Sequence, residues 1–353
     1  MATAGTPAVR SFGVLSPKRR DLIFRIAAPL VVSLAGFAIL LAAYGKNPLA
    51  TYGDVLHATF GSTRGFTEVL VIMIPLMFCA LAVAIPARIG MVNVGGEGQL
   101  YVGAVFAAFV PLTWPELPMG IMLPLMFFGG FLGGGLWAGL SGFLRAKGLL
   151  SEVLSTLLMN LVAGFFLQYL VFGVWRDPKS SNFPQSEPYP AAGNLPHLGS
   201  SRLHIGLFIA LGAVALFWFV LTKTRWGYEM RAIGGNQEAA KRNGIPIGWY
   251  IIILFVIGGG IAGIGGMAET SAIQGRLSPG FSSSYGYIGF LVSWMAGHSP
   301  VLIVVMSFLL AVITSGRDVL QITQHLPGAA VNILMALILF VILARRGRKA
   351  EGI

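Results

Sequence analysis

The chain has 353 residues, 56% of them hydrophobic and only 10% charged, with a mean hydropathy of +0.78. Soluble domains are roughly one-quarter charged, so this composition excludes a soluble globular protein. The net charge of +11 raises the question of a nucleic-acid partner, which the placement of the basic residues answers.

A hydrocarbon core about 30 Å thick needs roughly 20 apolar residues per helix. In chain order, the uncharged runs predict an all-α polytopic membrane protein with ten spans, at 22–44, 66–87, 90–112, 119–144, 151–175, 203–222, 249–268, 283–297, 299–316 and 327–344. The first run follows Lys18-Arg19-Arg20 but exceeds the roughly 7–15 apolar residues of a signal peptide, so it reads as a retained span. Cys79, the single cysteine, sits in the second run. It excludes an internal disulfide and reads as a small buried hydrophobe. An uncharged stretch at 277–316 contains Gly297-His298-Ser299-Pro300, turn chemistry that divides it into two short spans. Residues 1–21 and 345–353 are read as tails, 22–344 as the membrane domain, 176–202 as an irregular proline-rich outer loop, and 223–248 as the largest inner loop.

With the N-terminus in the cytoplasm, seventeen Lys and Arg residues fall inside and seven outside. That is the positive-inside bias of a membrane protein, with both termini cytoplasmic as an even number of spans requires. The basic surplus is a topology signal, and no nucleic-acid partner is implied.

The segment "GMVNVGGEGQLYVGA", residues 90–104, breaks the apolar pattern. Asn93, Glu97 and Gln99 lie within seven residues, interleaved with Gly95, Gly96 and Gly98. Arg88 marks the inner interface, so Glu97, nine residues on, lies about 13 Å into the membrane. A charge at that depth costs several kcal/mol unless it meets water or a partner. The glycines weaken a helix by about 1 kcal/mol each, and irregular backbone at this depth is tolerated only inside protein or beside a wet cavity. Glu97 therefore either caps backbone freed at a break or borders a solute path, and the two roles are compatible. Asn160, nine residues into the "SEVLSTLLMNLVAGFFLQYL" run, is also deep. It either bonds across helices or offers a donor and an acceptor to a polar solute. Trp294 either stacks on a solute ring or packs at an interface.

The inner loop "KTRWGYEMRAIGGNQEAAKRNGIPIG" carries a compact helix signature. Asn236 is placed to cap, Glu238 falls in the first turn, Ala239 and Ala240 propagate, Lys241 and Arg242 close the helix, and Gly244 stops it. Basic residues alone would satisfy topology; the caps favour a docking element. Arg231 and Glu238 are the expected docking contacts, with Gly227, Gly234 and Gly244 setting the backbone.

Three blocks, "NVGGEGQLYVGA", "SEVLSTLLMN" and "GYEMRAIGGNQEAAKRNGI", resemble those of ABC importer permeases of the nucleoside and simple-sugar class, related to the ribose permease group. The resemblance runs in order from about residue 66 to 344. It implies a type II-like importer fold of about ten helices, with the helix near 236–243 as the coupling helix. It also implies two permeases, with a heterodimer favoured, two ATPases and an extracytoplasmic solute-binding protein, in a bacterial cytoplasmic membrane. The "GEGQ" block is more similar to the nucleoside subgroup, with simple sugars the alternative cargo. "LVSWMAGHSP" departs from the family's usual pattern at Trp294 and Met295. No G-x-x-x-x-G-K-[ST] motif occurs, so no cofactor is expected in this chain; ATP and Mg belong to a partner ATPase. Two rival readings are weaker. An ion-coupled carrier commonly uses several deep ionisable groups, and only Glu97 reads as deep. An intramembrane hydrolase would rest on Ser141 in "GLSG", a motif expected by chance among 47 glycines.

Overall fold

The computed structural model describes residues 17–180, 183–327 and 329–350. The tail expected at 1–21 lies outside the described residues as far as residue 16, and that at 345–353 does so from residue 351. Among the described residues there are no strands, only an isolated bridge between His197 and His204.

The described residues form thirteen α-helices in order: α1 (Pro17–Ala43), α2 (Pro48–Phe60), α3 (Thr63–Ala87), α4 (Gly96–Thr113), α5 (Met119–Ala146), α6 (Glu152–Phe172), α7 (Gly206–Lys223), α8 (Arg225–Gly235), α9 (Gln237–Arg242), α10 (Ile247–Glu269), α11 (Tyr285–Met295), α12 (Pro300–Thr323) and α13 (Ala329–Ala350). α10 continues into a π-turn, Thr270–Gln274. The chain forms two compact units, one comprising α1 and α13 from Asn332 onward, the other Leu49–Val331. In the smaller unit, α1 and α13 approach closely at Gly36, where a Cβ would stand 3.6 Å from the Leu337 side chain.

The larger unit is built around α3 and α10. Of the most apolar part of α3, 89% is buried, and of α10 72%, whereas α5, α6 and α7 bury about a third or less and expose leucines and phenylalanines. This division follows from the solvent, because lipid-facing helices can be apolar all round while inner ones need close partners. Without a hydrophobic drive between helices in lipid, small residues supply the approach. A Cβ on Gly263 of α10 would stand 2.0 Å from the Gly130 carbonyl oxygen of α5, and one on Gly103 of α4 would stand 2.1 Å from the Gly263 Cα. Only glycine fits there.

The expected spans are corrected in several places. Among the described residues six helices are long and apolar enough to cross a membrane, or seven if the pair Leu30–Ala43 and Pro48–Phe60 counts as one, so a count of ten is not confirmed. The span expected at 90–112 starts only at Gly96, because 91–94 is irregular. α11 has 11 residues, about 16 Å of helix, half a crossing rather than a full one. The turn between α11 and α12 falls where the sequence places it, with Gly297 and His298 both at positive φ (57° and 61°). α12 runs past 316 to Thr323 and the helix at 249–268 runs past Glu269, since isolated polar residues such as Arg317 and Glu269 do not stop a helix whose backbone is still bonded. α2 and α8 were not expected. The 176–202 loop is irregular as expected and is bonded to the end of α10: Ser186 N–H donates to Leu277 O, Tyr189 N–H to Gly275 O, and Leu195 N–H to the Ser271 hydroxyl at 3.1 Å.

Candidate functional site

The polar break follows α3. α3 ends at Ala87, Gly90 turns the chain at φ +80°, and residues 91–95 run without helical structure before α4. Backbone groups freed inside a membrane must find partners, and here side chains supply them. Asn93 and Gln99 exchange amide bonds of 2.9 and 3.1 Å; Asn93 also donates to Ala82 O and accepts from Gly95 N–H, both at 2.9 Å. α6 presents Glu152, Thr156 and Asn160 at four-residue spacing, one face of a helix. Thr156 accepts from Val94 N–H at 3.2 Å, while Asn160 accepts from Gly98 N–H at 2.8 Å and donates to Val94 O at 2.9 Å. Glu152 contributes a longer bond to Val92 N–H and pairs with Arg145 at 2.9 Å.

Glu97 has a different partner. Its carboxylate accepts the Gly286 N–H at 2.7 Å, in the first turn of α11, and also bonds the Ser282 and Tyr101 hydroxyls. A carboxylate at a helix N-terminus satisfies an orphan donor and complements the macrodipole. The approach is close: a Cβ on Gly286 would stand 2.0 Å from the Glu97 nitrogen, and one on Gly96 3.4 Å from Gly286. The starts of α4 and of the short α11 thus meet beside the break. Gly95 precedes α4 and Gly96 opens it, but Gly98 lies inside its first turn and serves close packing on Asn160, not interruption.

The structure brings Asn93, Gln99 and Asn160 into one network, all nearly fully buried, with Glu97 of α4 beside them and bonded to α11. Trp294 is not in it. It lies eight residues beyond Gly286 on α11, about 12 Å along the axis, with its ring against Phe290 and His298 at 5.6 and 5.5 Å between centroids.

The 223–248 loop holds two helices, not one. Thr224 caps α8 through Gly227 N–H at 3.3 Å, and the Arg231 guanidinium donates to Leu221 O. Asn236 caps α9 through Ala239 N–H at 3.0 Å, Ala240 is buried, and Gly244 stops the helix at φ +79°. Glu238 is well exposed beside Arg242 at 3.5 Å. Behind this surface, the Tyr250 hydroxyl donates to Glu229; that bond and the Arg225 pair hold the Glu229 carboxyl below its ordinary range. The loop is fastened to the break. A Cβ on Gly234 would stand 2.2 Å from Arg88 O, and the Gln237 amide donates to Ile89 O at 3.1 Å. Arg88 in turn donates to His298 O, in the turn after α11. Gln237 was missed in the sequence, where it reads as an ordinary helix residue.

At the opposite ends of α3, α10 and α12 lies a polar cavity of about 390 Å³, lined among others by Glu68, Arg202, Glu269, Gln274, Tyr285 and Arg317. Glu269 is 4% exposed, a second buried carboxyl group, lying at the end of α10. It was missed because the apolar run stops at residue 268, whereas the helix and its π-turn carry on to Gln274. Among the described residues no group of His, Cys, Asp and Glu could hold a metal ion.

Helix starts meeting at a buried break, a capped helix pair fastened to it and a polar cavity on the far side define a polytopic transport permease. The chain belongs to the family described as "Branched-chain amino acid transport system / permease component", which matches residues 65–343. It is similar to a glucose ABC transporter permease protein of Haloferax volcanii (33% identical, covering 89% of this chain and 86% of that one). It is also similar to a nucleoside ABC transporter permease protein of Lactococcus lactis (28%, 90% of each) and a guanosine ABC transporter permease protein of Bacillus subtilis (29%, 89% and 90%). The chain is a multi-pass membrane permease subunit of an ABC transporter.

Proposed function

We propose that this permease imports nucleosides across the cytoplasmic membrane, with simple sugars the second reading because a glucose permease protein is 33% identical over most of the chain. Both termini and the α8–α9 loop are cytoplasmic, as the basic residues favour. ATP and Mg are bound by separate ATPase chains that dock on α8 and α9, with Arg231 and Glu238 on the docking side. A second permease, a different chain, and an extracytoplasmic solute-binding protein complete the importer. Asn93, Glu97, Gln99 and Asn160 frame the solute path at the break, and Trp294 flanks the inner half of α11.

The observation that carries this reading is the fastening of an exposed, well-capped cytoplasmic helix to the membrane break through Gln237, Gly234 and Arg88. A push on α9 reaches Ile89 and, through Arg88, the inner turn of α11. Such a device has a use only where a separate motor changes the membrane segment's state, since a ligand or partner shifts an equilibrium only by binding its two states differently. The test is uptake of radiolabelled guanosine and glucose by proteoliposomes holding the permease with its co-encoded partners. ATP-dependent uptake of either supports the reading; uptake driven by a proton gradient without ATP refutes it.

A further inference from the structure

We infer that the cavity around Glu269 is a solute subsite that reads the hydroxyls of a sugar ring before the solute reaches the break. The inference rests on the importer reading given above and adds where this chain itself recognises its cargo. The cavity holds about 390 Å³, within the roughly 300–1,000 Å³ of small-molecule sites. It lies inside the larger unit, on the face opposite the α8–α9 loop.

Its walls are graded. Arg64 and the Arg202–Glu68 pair, at 3.1 Å, stand toward the more exposed side, while Glu269, Tyr285 and Thr314 are buried. Three of the seven basic residues on the far side of the membrane, Arg64, Arg202 and Arg317, line it. A small anion would be held at the mouth by those guanidiniums, whereas a neutral polyol can pass on to the buried Glu269. A carboxyl group offers two oxygens to hydroxyl donors and, when it carries a proton, one donor of its own. Phe281 and Tyr285 supply apolar ring surface beside them. The arrangement of one buried acceptor, neighbouring amide and hydroxyl groups and an aromatic wall suits the vicinal diol and C–H face of a ribose or hexose.

The backbone around the cavity is specialised. Thr270–Gln274 is a π-turn, a feature frequent at functional sites, and Gln274 at its end bonds Glu269. Ser284, just before α11, sits in the left-handed region at φ 67°, a conformation that is costly for a non-glycine residue and that clusters at ligand sites. Tyr285, on the cavity wall, precedes Gly286, whose N–H Glu97 holds. A solute in the cavity therefore touches the first turn of α11, the same half-helix whose inner turn is bonded to Arg88.

The experiment places a cysteine at Ala58, on the cavity wall, in the assembled transporter; Cys79 is fully buried. Labelling by a membrane-impermeant maleimide is followed with guanosine, 2′,3′-dideoxyguanosine, glucose or inorganic phosphate present. Whichever of guanosine and glucose is imported should slow labelling at least fivefold, and dideoxyguanosine and phosphate should not. Glu269→Gln should abolish protection and lower uptake at least tenfold; the protection arm in otherwise unaltered protein needs no change at Glu269. Import without protection overturns the subsite and leaves the importer reading standing. Protection by dideoxyguanosine equal to guanosine, or by phosphate, overturns the hydroxyl assignment. Import of neither solute by the unaltered transporter overturns both.

Discussion

Replacing Glu97 separates its role as a cap from any need for its charge. The carboxylate accepts Gly286 N–H at 2.7 Å and bonds the Ser282 and Tyr101 hydroxyls in a nearly dry setting. Hydrogen bonds to a charged group contribute about 1.5–3 kcal/mol and neutral ones about 0.5–1.5 kcal/mol. In Glu97→Gln the amide carbonyl keeps the bond to Gly286, and the amide N–H can donate to the hydroxyl oxygens, so the expected cost is about 1 kcal/mol. In Glu97→Ala the Gly286 N–H is left buried and unpaired, at about 1–3 kcal/mol for that group alone, and the removed side chain leaves a void. A gap of about 2 kcal/mol between the two variants is roughly 30-fold in the population of a frayed α11, at tenfold per 1.4 kcal/mol. Reconstituted uptake should therefore stay within a few-fold of normal for Glu97→Gln and fall at least tenfold for Glu97→Ala. A folded, assembled Glu97→Gln transporter as inactive as Glu97→Ala would refute the capping account and assign the charge itself to transport.

Three further outcomes follow from the contacts described. Gly263→Ala puts a methyl 2.0 Å from the Gly130 carbonyl oxygen, and since neither backbone can yield, overpacking costs about 1–3 kcal/mol or more; the thermal midpoint in detergent should drop by several degrees, and an unchanged midpoint would show that α5 and α10 separate more easily than this. Gln237→Leu removes the bond to Ile89 O at about 1 kcal/mol, so solute imported per ATP hydrolysed should fall several-fold while the subunits still copurify; an unchanged ratio rules out this tie as a transmission contact. Glu238→Lys disrupts an exposed pair with Arg242 that contributes less than about 1 kcal/mol to the fold, so membrane insertion should be normal while ATPase copurification drops at least fivefold, and full copurification removes Glu238 from the docking surface.

What was legible in the sequence depended on whether the signal was local. The cap at Asn236, the stop at Gly244 and the turn at Gly297-His298 are fixed by a few neighbouring residues, and the structure places each as expected. The break at 90–95 was legible because polar residues and glycines in an apolar run have one physical excuse, an interruption with internal partners. Its partners were not. Thr156 and Gly286 are 62 and 189 residues from the groups they bond, and nothing local marks a threonine or a glycine as half of such a pair. Helix length failed for the same reason in reverse. Apolar runs measure lipid contact, so they shorten α12 and α10 at the first charge, although Arg317 and Glu269 face a cavity and not lipid.

α11 explains why these separately read features belong together. With 11 residues it is too short to cross the membrane, and its ends are held by different parts of the chain. Its first turn is bonded by Glu97 and borders the far cavity through Tyr285; the turn after it is bonded by Arg88, against which Gly234 and Gln237 rest. A full-length lipid-facing helix could not serve this way, because its position would be set by the bilayer. A half-helix buried at its N-terminus among protein groups is set by those groups alone, and a packed interface of that kind shifts between discrete arrangements instead of deforming continuously. The glycines at 96 and 286 keep the two helix starts in direct backbone contact, so α11 cannot tilt without moving α4. On the proposed reading, solute in the cavity and a motor on the 223–248 loop act on one rigid element from its two ends, which is the minimum geometry for coupling them.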